Sequence, residues 1–412
     1  MSIQSLPVTL RAPESLQFRH ETRGFADLDS FRTLRQEWES LAAAAQSYSF
    51  CLTYAYCELA AEVALARGAA VAVAMVYDRR ELCALWPLVI YRHGLLRVAR
   101  SLGCGSDEEY GAPLVHARAG GAVIAEVLRA ALDVCADTLE IRFVRSDSAL
   151  QEAIGPLSQS WLLPFIPKRL HRLPGYSISL REFERWDDFS ATLSKSLRAD
   201  LRHHLRRLSA KGQPELGWCK TPDDAEAVLT WLFATKRRWA ISRGFHTQYL
   251  MNEQVRDFFV ALAQRTDLST TPLVTFLKLD GRPVAASVNL VGPHSFEGFV
   301  MTYDESLSAC SPGNLLQEFC VKWAHANGRD FDFRPLYAAY KTRWANRQTM
   351  HDTHVLFLST RARLAEFVLL WGYLIRVLHA TRTAAARGVS SATAFVSRSR
   401  HRSATRGTRS FR

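Results

Sequence analysis

The sequence lacks several features that would place it in common protein classes. None of its eight cysteines forms a Cys-x-x-Cys pair, and no histidine lies at the spacing of a zinc site. The amino terminus, MSIQSLPVTLRAPES, has neither a basic start nor an apolar core, so we expect no signal peptide. The longest apolar stretch, residues 364–380, is short for a membrane span and contains Glu366 and Arg376. These absences predict a cytoplasmic protein with buried, reduced thiols and no bound metal.

Acidic residues are scarce at one end of the chain. Residues 361–412 contain eleven arginines and a single acid, Glu366. This segment carries +10 of the formal net charge of +12, which leaves +2 for residues 1–360. Because the body is nearly neutral, we expect no DNA partner. A chain of 412 residues is too long for one hydrophobic core and fits two domains.

The two halves of the body repeat one order of predicted elements. Each half reads as helices, then a hairpin, then a strand, a helix and a strand. In the first half the predicted helices cover 28–46, 54–68 and 121–135, and the strands cover 70–78, 81–92 and 138–146. In the second half the helices cover 194–212, 223–244, 253–265 and 314–326, the hairpin covers 271–292, and the strands cover 295–304, 329–333 and 351–359.

This repeat predicts two similar α/β domains in tandem. The predicted segments are a flexible terminus (1–16), an N-terminal domain (17–175), a C-terminal domain (176–360), an apolar helix (361–380) and a disordered Arg-rich tail (381–412). Apolar residues at helical spacing after residue 364, followed by arginines, favour peripheral contact with an anionic membrane surface. The alternative is a terminal helix that packs on the second domain.

Five segments of the second half follow one another in a characteristic order. They are LVTFLKLDGRPVAASVNL, GFVMTYDESL, SPGNLLQEFCVKWAHANG, RDFDF and AYKTRWA. In this order they resemble the GNAT acyltransferase superfamily. Within the superfamily the chain is similar to the CelD-like branch, which is associated with cellulose and exopolysaccharide biosynthesis and related to the FemABX aminoacyl transferases. WPLVIYR and SLGCGSDEEYGAPLV extend the similarity to the first half, so that it covers residues 17–360.

The resemblance implies an α/β (α+β) fold of two tandem GNAT-like domains, each with a mixed, mostly antiparallel sheet flanked by helices. It also implies acetyl-CoA or another acyl-CoA as co-substrate. One position departs from the family, which usually has a glycine between the positions of Asp332 and Tyr340. This sequence has Pro335 and Leu336 there.

The segment CSPGNLLQE (310–318) is the candidate donor site. Free N–H groups in the first turn of a helix, together with the helix dipole, bind phosphates, and in GNAT proteins this junction receives coenzyme A. The candidate cofactor-binding residues are Ser311, Gly313, Asn314, Leu315 and Lys341. The alternative is an ordinary helix start with Ser311 as N-cap and Pro312 at the first helical position.

The segment DFRPLYAAYKTRW (332–344) is the candidate catalytic segment. Acyl transfer from a thioester needs a base for the attacking group and an acid for the leaving thiolate. Asp332 could act as the base or orient one, and Tyr340 could protonate the thiolate. Alternatively, Asp332 caps a turn, the Tyr340 ring packs against its neighbours, and Lys341 is solvated.

Two helices supply candidate acceptor-binding residues. On the helix at 194–212, arginines recur every four residues beginning at Arg198, which fits an anionic acceptor or a tRNA, or else a solvated face. On the helix at 223–244, Lys236 and Trp239 match a family pattern that lines the acceptor cleft, although Trp239 also fits a core position. Tyr303, at the end of the strand 295–304, completes the substrate-binding set.

The sequence therefore predicts an acyl-CoA-dependent N- or O-acyltransferase, with acetyl as the expected acyl group. The expected acceptor is of the cell-envelope, polysaccharide or nucleotide-sugar type, and it attacks the thioester directly because no motif indicates a covalent intermediate. Two alternatives stay open. One is FemABX-like transfer from an aminoacyl-tRNA, and the other is an inactive scaffold for polysaccharide synthesis.

Overall fold

A single mixed sheet runs through the protein. The computed structural model describes residues 18–157, 159–160, 162, 167–168, 171–244 and 248–366. Most neighbouring strands of the sheet are antiparallel. Its strands are β1 (Phe18–Phe25), β2 (Ala70–Asp78), β3 (Glu81–His93), β4 (Leu96–Ser101), β5 (Leu114–Val115), β6 (Thr138–Arg145), β7 (Arg172–Ile178), β8 (Pro214–Trp218), β9 (Val274–Leu279), β10 (Arg282–Val291), β11 (Ser295–Tyr303), β12 (Asp330–Pro335) and β13 (Arg347–Phe357).

Helices cover both faces of the sheet. They are α1 (Leu28–Arg32), α2 (Arg35–Ala44), α3 (Tyr54–Ala66), α4 (Gly121–Leu132), α5 (Ala149–Ile154), α6 (Trp186–Thr192), α7 (Lys195–Ser209), α8 (Pro222–Ser242), α9 (Gln248–Met251), α10 (Gln254–Gln264), α11 (Pro312–Ala326) and α12 (Ala339–Trp344). The predicted fold class, a mixed and mostly antiparallel sheet flanked by helices, is confirmed.

Local sequence signals place several of these elements. Asp280 and Gly281 form the turn between β9 and β10 with φ of 49° and 78°, the left-handed pair that a two-residue hairpin needs. The predicted helix 28–46 is instead two helices. Thr33 Oγ1 donates to the Ser30 carbonyl at 2.7 Å and competes with the helical ladder at the break. The apolar stripe is nevertheless buried across the break, from Phe31 to Leu41.

The order of the strands shows an internal repeat in which the two halves exchange strands at the centre of the sheet. The strand order is β1-β2-β3-β4-β6-β13-β7-β12-β11-β10-β9-β8, with β5 beside β3. In each half an antiparallel meander leads to one parallel pair, β4 with β6 or β11 with β12. The last strand, β13, pairs with β6 of the first half, whereas β7 pairs with β12 of the second. The predicted domain boundary, between 175 and 176, falls inside β7.

Three hydrophobic cores hold the layers together. One lies under α4 and α5 in the first half, and another lies under α7 and α11 in the second. The third is shared, because α1 to α3 of the first half pack with α8 and α10 of the second. At its centre the rings of Tyr56 and Phe258 lie 5.1 Å apart. This shared core brings the inner faces of both halves together around the candidate site.

Some predicted segments lie outside the described residues. These are the flexible terminus 1–16, most of the apolar helix 361–380 and the Arg-rich tail 381–412. Within the part that is described, no helix is both long and apolar enough to cross a membrane. Seven of the eight cysteines are buried as predicted, whereas Cys135 is exposed because it follows α4 at the surface.

Candidate active site

The parallel strands β11 and β12 separate after a short contact. They pair only from Ser295 with Asp330 to Glu297 with Asp332, although β11 continues to Tyr303 and β12 to Pro335. Beyond the last pair the two strands no longer satisfy each other's backbone groups. Such an opening can bind an extended ligand that carries amide groups.

Helix α11 begins at this opening with a strained residue. Ser311 has φ +46°, a left-handed conformation that L residues adopt at a cost. The N–H groups of Ser311, Asn314 and Leu315 donate to carbonyls of Ser308 or Ser311, and Pro312 has no N–H. Among the described residues no acceptor is found for the Gly313 N–H. The helix start therefore offers one free amide, fewer than the predicted phosphate cradle.

Two of the predicted cofactor residues have packing roles. A Cβ added at Gly313 would lie 3.2 Å from the Tyr303 ring, so the glycine lets this ring cover the helix start. The Leu315 side chain is 2% exposed and belongs to the core, so it cannot contact a cofactor as predicted. The Asn314 amide donates to Ser311 Oγ at 2.9 Å and holds the left-handed turn.

Cationic and aromatic side chains cluster at the end of α8. Lys236 Nζ lies 4.1 Å from the Trp239 ring centre, and the Arg243 guanidinium lies 4.9 Å from the same ring. Burial, reinforced by Arg243, lowers the pKa of Lys236 to about 8. Arg243 also pairs with Glu305 at 2.6 Å, two residues beyond Tyr303. The predicted substrate residues Lys236, Trp239 and Tyr303 are thus brought to one region.

Lys341 lies inside the protein and not at a phosphate site. Its Nζ donates to the carbonyls of Arg334 at 3.0 Å and Pro335 at 3.3 Å, which supports the end of β12. Burial lowers the pKa of Lys341 to about 8. Tyr340 is 38% exposed, and its ring lies 6.2 Å from that of Phe333. Burial of its hydroxyl raises the pKa of Tyr340 to about 12, so the hydroxyl stays protonated at neutral pH.

A central cavity of about 650 Å³ lies between the halves. Its first-half wall includes Tyr110, Phe143 and Arg145, and its second-half wall includes Arg181 and Glu297. The strands that cross between the halves complete it, since Tyr176 of β7, Asp332 of β12 and His351 of β13 also line the cavity. The central cavity therefore exists only when both halves are in place.

Asp332 is held at the edge of the central cavity by two donors. Its Oδ2 accepts from the Tyr110 hydroxyl at 2.8 Å, and its Oδ1 accepts from the Arg334 N–H at 2.7 Å. Burial and the Asp332 carboxylate raise the pKa of Tyr110 well above its usual range, so Tyr110 remains a donor. With both carboxylate oxygens bound to donors, Asp332 is better suited to orient a base than to act as one.

A buried ion pair joins β11 to β12 next to Asp332. Arg334 Nη1 lies 2.6 Å from Glu297 Oε2, and both residues are at most 5% exposed. Burial opposes the charge, but the Glu297 carboxylate outweighs it and raises the pKa of Arg334. Arg334 also donates to the Glu108 carbonyl and lies 4.6 Å above the Tyr110 ring. The pair thereby connects the second half to the loop that carries Tyr110.

His351 lines the central cavity and has one ring nitrogen available for a partner. Its Nδ1 lies 3.2 Å from the Thr349 carbonyl, which can only accept, so Nδ1 carries the proton and Nε2 has the lone pair. Among the described residues Nε2 has no hydrogen-bond partner. The ring lies 5.6 Å from that of Tyr110 and rests on Gly175, where a Cβ would be 2.4 Å from Cε1. Burial lowers the pKa of His351, although Asp332 opposes this shift.

His354, three residues along the same strand, provides a contrast. Its two ring nitrogens each lie 2.8 Å from the side-chain amide of a glutamine, Gln159 or Gln151, and because an amide can donate as well as accept, both nitrogens have partners. Burial lowers the pKa of His354 as well. The two histidines therefore differ in partners more than in burial, and only His351 has a nitrogen available for chemistry.

Some predicted residues lie apart, and some relevant residues were not predicted. Arg198 lies on α7, which packs on α11, and no hydrogen bond or ion pair is found between Arg198 and Asp332 or Tyr340 among the described residues. Lone charges inside apolar strands could have identified Glu297 and Arg334, because such charges are rarely buried without a partner. No local pattern identifies Tyr110 or His351, since their role depends on contacts between the halves.

Comparison with known proteins gives one family match and several similar structures. Residues 195–357 match the family model described as an acetyltransferase (GNAT) domain. The structure of FemX is 11% identical with a TM-score of 0.55, over 78% of this chain and 96% of FemX. The structure of L-PGS from Bacillus licheniformis is 13% identical with a TM-score of 0.45, over 83% of this chain and 96% of the L-PGS chain. The structure of a tandem GNAT protein from the clavulanic acid biosynthesis pathway is 12% identical with a TM-score of 0.43, over 83% of this chain and 99% of that one.

None of the curated proteins matches the chain significantly. The TM-score above 0.5 makes FemX the structure on which the likeness of fold rests. The family match covers the segment that contains the separated strands, the start of α11 and Asp332. Residues 195–357 match the model of a GNAT-type acetyltransferase domain, and the fold of the chain is similar to that of FemX.

Proposed function

We propose that the protein transfers an acyl group from an acyl-CoA thioester to an amine or hydroxyl acceptor bound in the central cavity. The observation that carries the proposal is the His351 imidazole, which lines this cavity, interacts electrostatically with Asp332 and has no partner for Nε2 among the described residues. A GNAT-type domain supplies the donor side of the reaction. The His351 base would lie on the acceptor side.

In the proposed reaction the amine nitrogen or hydroxyl oxygen of the acceptor attacks the thioester carbonyl carbon. His351 Nε2 takes the proton from that nitrogen or oxygen. The new C–N or C–O bond forms, and the C–S bond breaks to release the thiolate of coenzyme A. Asp332 stabilises the imidazolium, and Tyr340 remains the candidate acid that protonates the thiolate. No atom of the protein becomes acylated.

The donor would lie along the separated ends of β11 and β12. Unpaired backbone groups there suit the two amides of the pantetheine arm, and the Gly313 N–H suits one phosphate oxygen. Arg243, which pairs with Glu305 shortly before α11, would add positive charge near the same helix start. The Tyr303 ring covers Gly313, so we expect this ring to move when the donor binds.

The acceptor class is carried over from the resemblance. A cell-envelope, polysaccharide or nucleotide-sugar acceptor would fit the Arg181 guanidinium, which lines the central cavity and has no ion-pair partner within the described ranges, so it could hold a phosphate or carboxylate. The CelD-like assignment and acetyl as the acyl group stay predictions.

Transfer from an aminoacyl-tRNA is the second candidate. The observation that favours it is the outer face of α7, where Arg202 and Arg206 have no acidic partner among the described residues, together with the FemX-like fold. This reading predicts RNA binding that weakens steeply with salt. Replacing Arg198, Arg202 and Arg206 by Gln would abolish that binding without affecting acetyl-CoA.

The test compares His351→Gln with His354→Gln, a matched change at a buried histidine of the same strand. Acetyl-CoA should raise the melting temperature of the wild type and of both variants by mass action. Release of free coenzyme A, with a panel of amine and hydroxyl acceptors, should fall by about 10²- to 10⁴-fold in His351→Gln only. Equal loss in both variants, or no effect of acetyl-CoA on melting, would refute the proposal.

The pH profile gives a second readout for His351. Burial and Arg145 lower its pKa, whereas Asp332, Asp147 and the Thr349 carbonyl raise it, and the net direction is downward. A base must be unprotonated, so the rate should be constant above about pH 6.5, the usual histidine value, and fall as pH drops through the lowered pKa. His351→Gln should lack this acidic limb, and a limb that persists in the variant would assign the base elsewhere.

A further inference from the structure

A second cavity, of about 1,200 Å³, lies in the first half of the molecule and takes no part in the proposed reaction. The end of β3, the start of β4 and the end of α3 form most of its wall, and residues next to α10 close it. We call it the basic cavity, after its lining residues Arg67, Arg92, Arg97 and Arg100.

Two of these arginines face each other and form no salt bridge among the described residues. Arg92 and Arg97 are direct partners in the register of β3 and β4, which places like charges side by side at an energetic cost. Asp137 accepts from the Arg97 backbone N–H at 2.8 Å, but its carboxylate does not pair with either guanidinium. Arg97 Nη1 instead lies 3.1 Å from the sulfur of Cys135.

The other charges of the basic cavity do not neutralise this pair. Arg100 is already bound to Asp107 and Glu140. Glu109 is buried and accepts from the Tyr56 hydroxyl and the Cys104 N–H. Asp133 is 67% exposed and lies 3.8 Å from His20, so solvent screens it. Arg67, like Arg92 and Arg97, has no acidic partner in the described ranges. A bound anion would balance the positive charge of these three arginines.

We propose that the basic cavity binds a phosphate-bearing ligand through Arg92 and Arg97. Guanidinium groups match the geometry of phosphate oxygens and are weakly hydrated, so paired arginines favour phosphate over a simple halide. The ligand is either a soluble phosphate ester or the headgroup of an anionic lipid. The lipid source is included because two exposed leucines lie beside another arginine. Leu95 on the β3–β4 turn is 86% exposed and Leu364 is 68% exposed. Arg361 lies between them and donates to the Leu95 carbonyl at 3.1 Å.

The first experiment measures binding of inorganic pyrophosphate to the full chain by calorimetry. The double variant R92Q/R97Q should bind at least about ten-fold more weakly, because each lost charge-assisted hydrogen bond is worth a factor of that order. The control is R80Q/R118Q, which removes the same charge from exposed positions of the same half and should bind like the wild type.

The second experiment measures co-sedimentation with vesicles of phosphatidylglycerol and of phosphatidylcholine. Binding only to phosphatidylglycerol, lost in R92Q/R97Q and weakened by Leu95→Ser, would assign a lipid headgroup. Pyrophosphate binding without vesicle binding would assign a soluble ligand. If the wild type binds neither probe, or if R80Q/R118Q loses binding as much as R92Q/R97Q, the basic cavity is not a phosphate site. Acetyl-CoA turnover is measured in parallel and should be unchanged, which separates this proposal from the acyltransferase one.

Discussion

Leu336 has a strained backbone within the candidate catalytic segment, residues 332–344. It has φ +97° and is 61% exposed, at the position where the resembling family usually has glycine. A leucine in this region is strained because its Cβ crowds the backbone. Lys341 holds the neighbouring carbonyls and Leu336 N–H donates to the Pro174 carbonyl, so the surrounding structure maintains the strain.

Leu336→Gly is expected to raise the free energy of unfolding by about 1 kcal/mol, because relief of the strain outweighs the added chain entropy of glycine. Urea denaturation would measure the change. The control is Leu336→Ala, which also removes the exposed side chain but keeps a Cβ, and it should not be stabilised. If both variants are stabilised equally, loss of the exposed leucine and not the backbone would be the cause.

The ion pair between β11 and β12 is the corresponding feature at the scale of elements. These strands share only three residue pairs before they separate, so Glu297 and Arg334 supply a connection that the backbone does not. The same arginine contacts the loop of Tyr110 and thereby orients the donor of Asp332. Arg334 therefore links the separation of β11 and β12 to the positions of Tyr110 and Asp332.

Glu297→Ala is expected to lower the free energy of unfolding by about 3 kcal/mol or more, because it leaves the Arg334 guanidinium buried without a counter-charge. Chemical denaturation would measure this loss. Glu182→Ala breaks an exposed pair with Arg347 and should cost less than about 1 kcal/mol. The double variant Glu297→Met/Arg334→Met should recover much of the stability, and its failure to do so would indicate that packing and not charge is responsible.

Local sequence patterns predicted helices and turns well where a single signal, such as turn chemistry or helical period, was strong. The Asp280-Gly281 turn, the stripe at 31–41 and helix α11 follow from turn chemistry and helical period. Strands β1, β7 and β8 were not predicted, because their mixed polar sequences lack a clear alternation of apolar residues. Their pairing with apolar neighbours decides their structure, and a strand's neighbours are not visible in its own sequence.

At the scale of the whole molecule, the exchange of β7 and β13 makes the two halves depend on each other. Removing the second half would expose an edge of β6, and removing the first would leave β13 with one neighbour. The shared core of α3 and α10 adds apolar surface that neither half covers alone. The repeat in sequence thus does not imply two independently folding units.

Splitting the chain tests this dependence. Pieces 1–168 and 169–412, divided between β6 and β7, are each expected to aggregate when produced alone, because unpaired strand edges and the shared core are exposed. Produced together, they should copurify through a tag on one piece. A soluble, monomeric piece 1–168 with cooperative unfolding would contradict the expectation and support the predicted N-terminal domain as a separate unit.

The sequence by itself determined the fold class, the tandem repeat and the segments that resemble a GNAT acyltransferase, because period, turn residues and short motifs act over a few residues. The tertiary structure alone decided which residues meet. Tyr110, Asp332 and His351 come together only through the exchanged strands and their register. Such contacts join residues more than two hundred positions apart, and no local pattern encodes them.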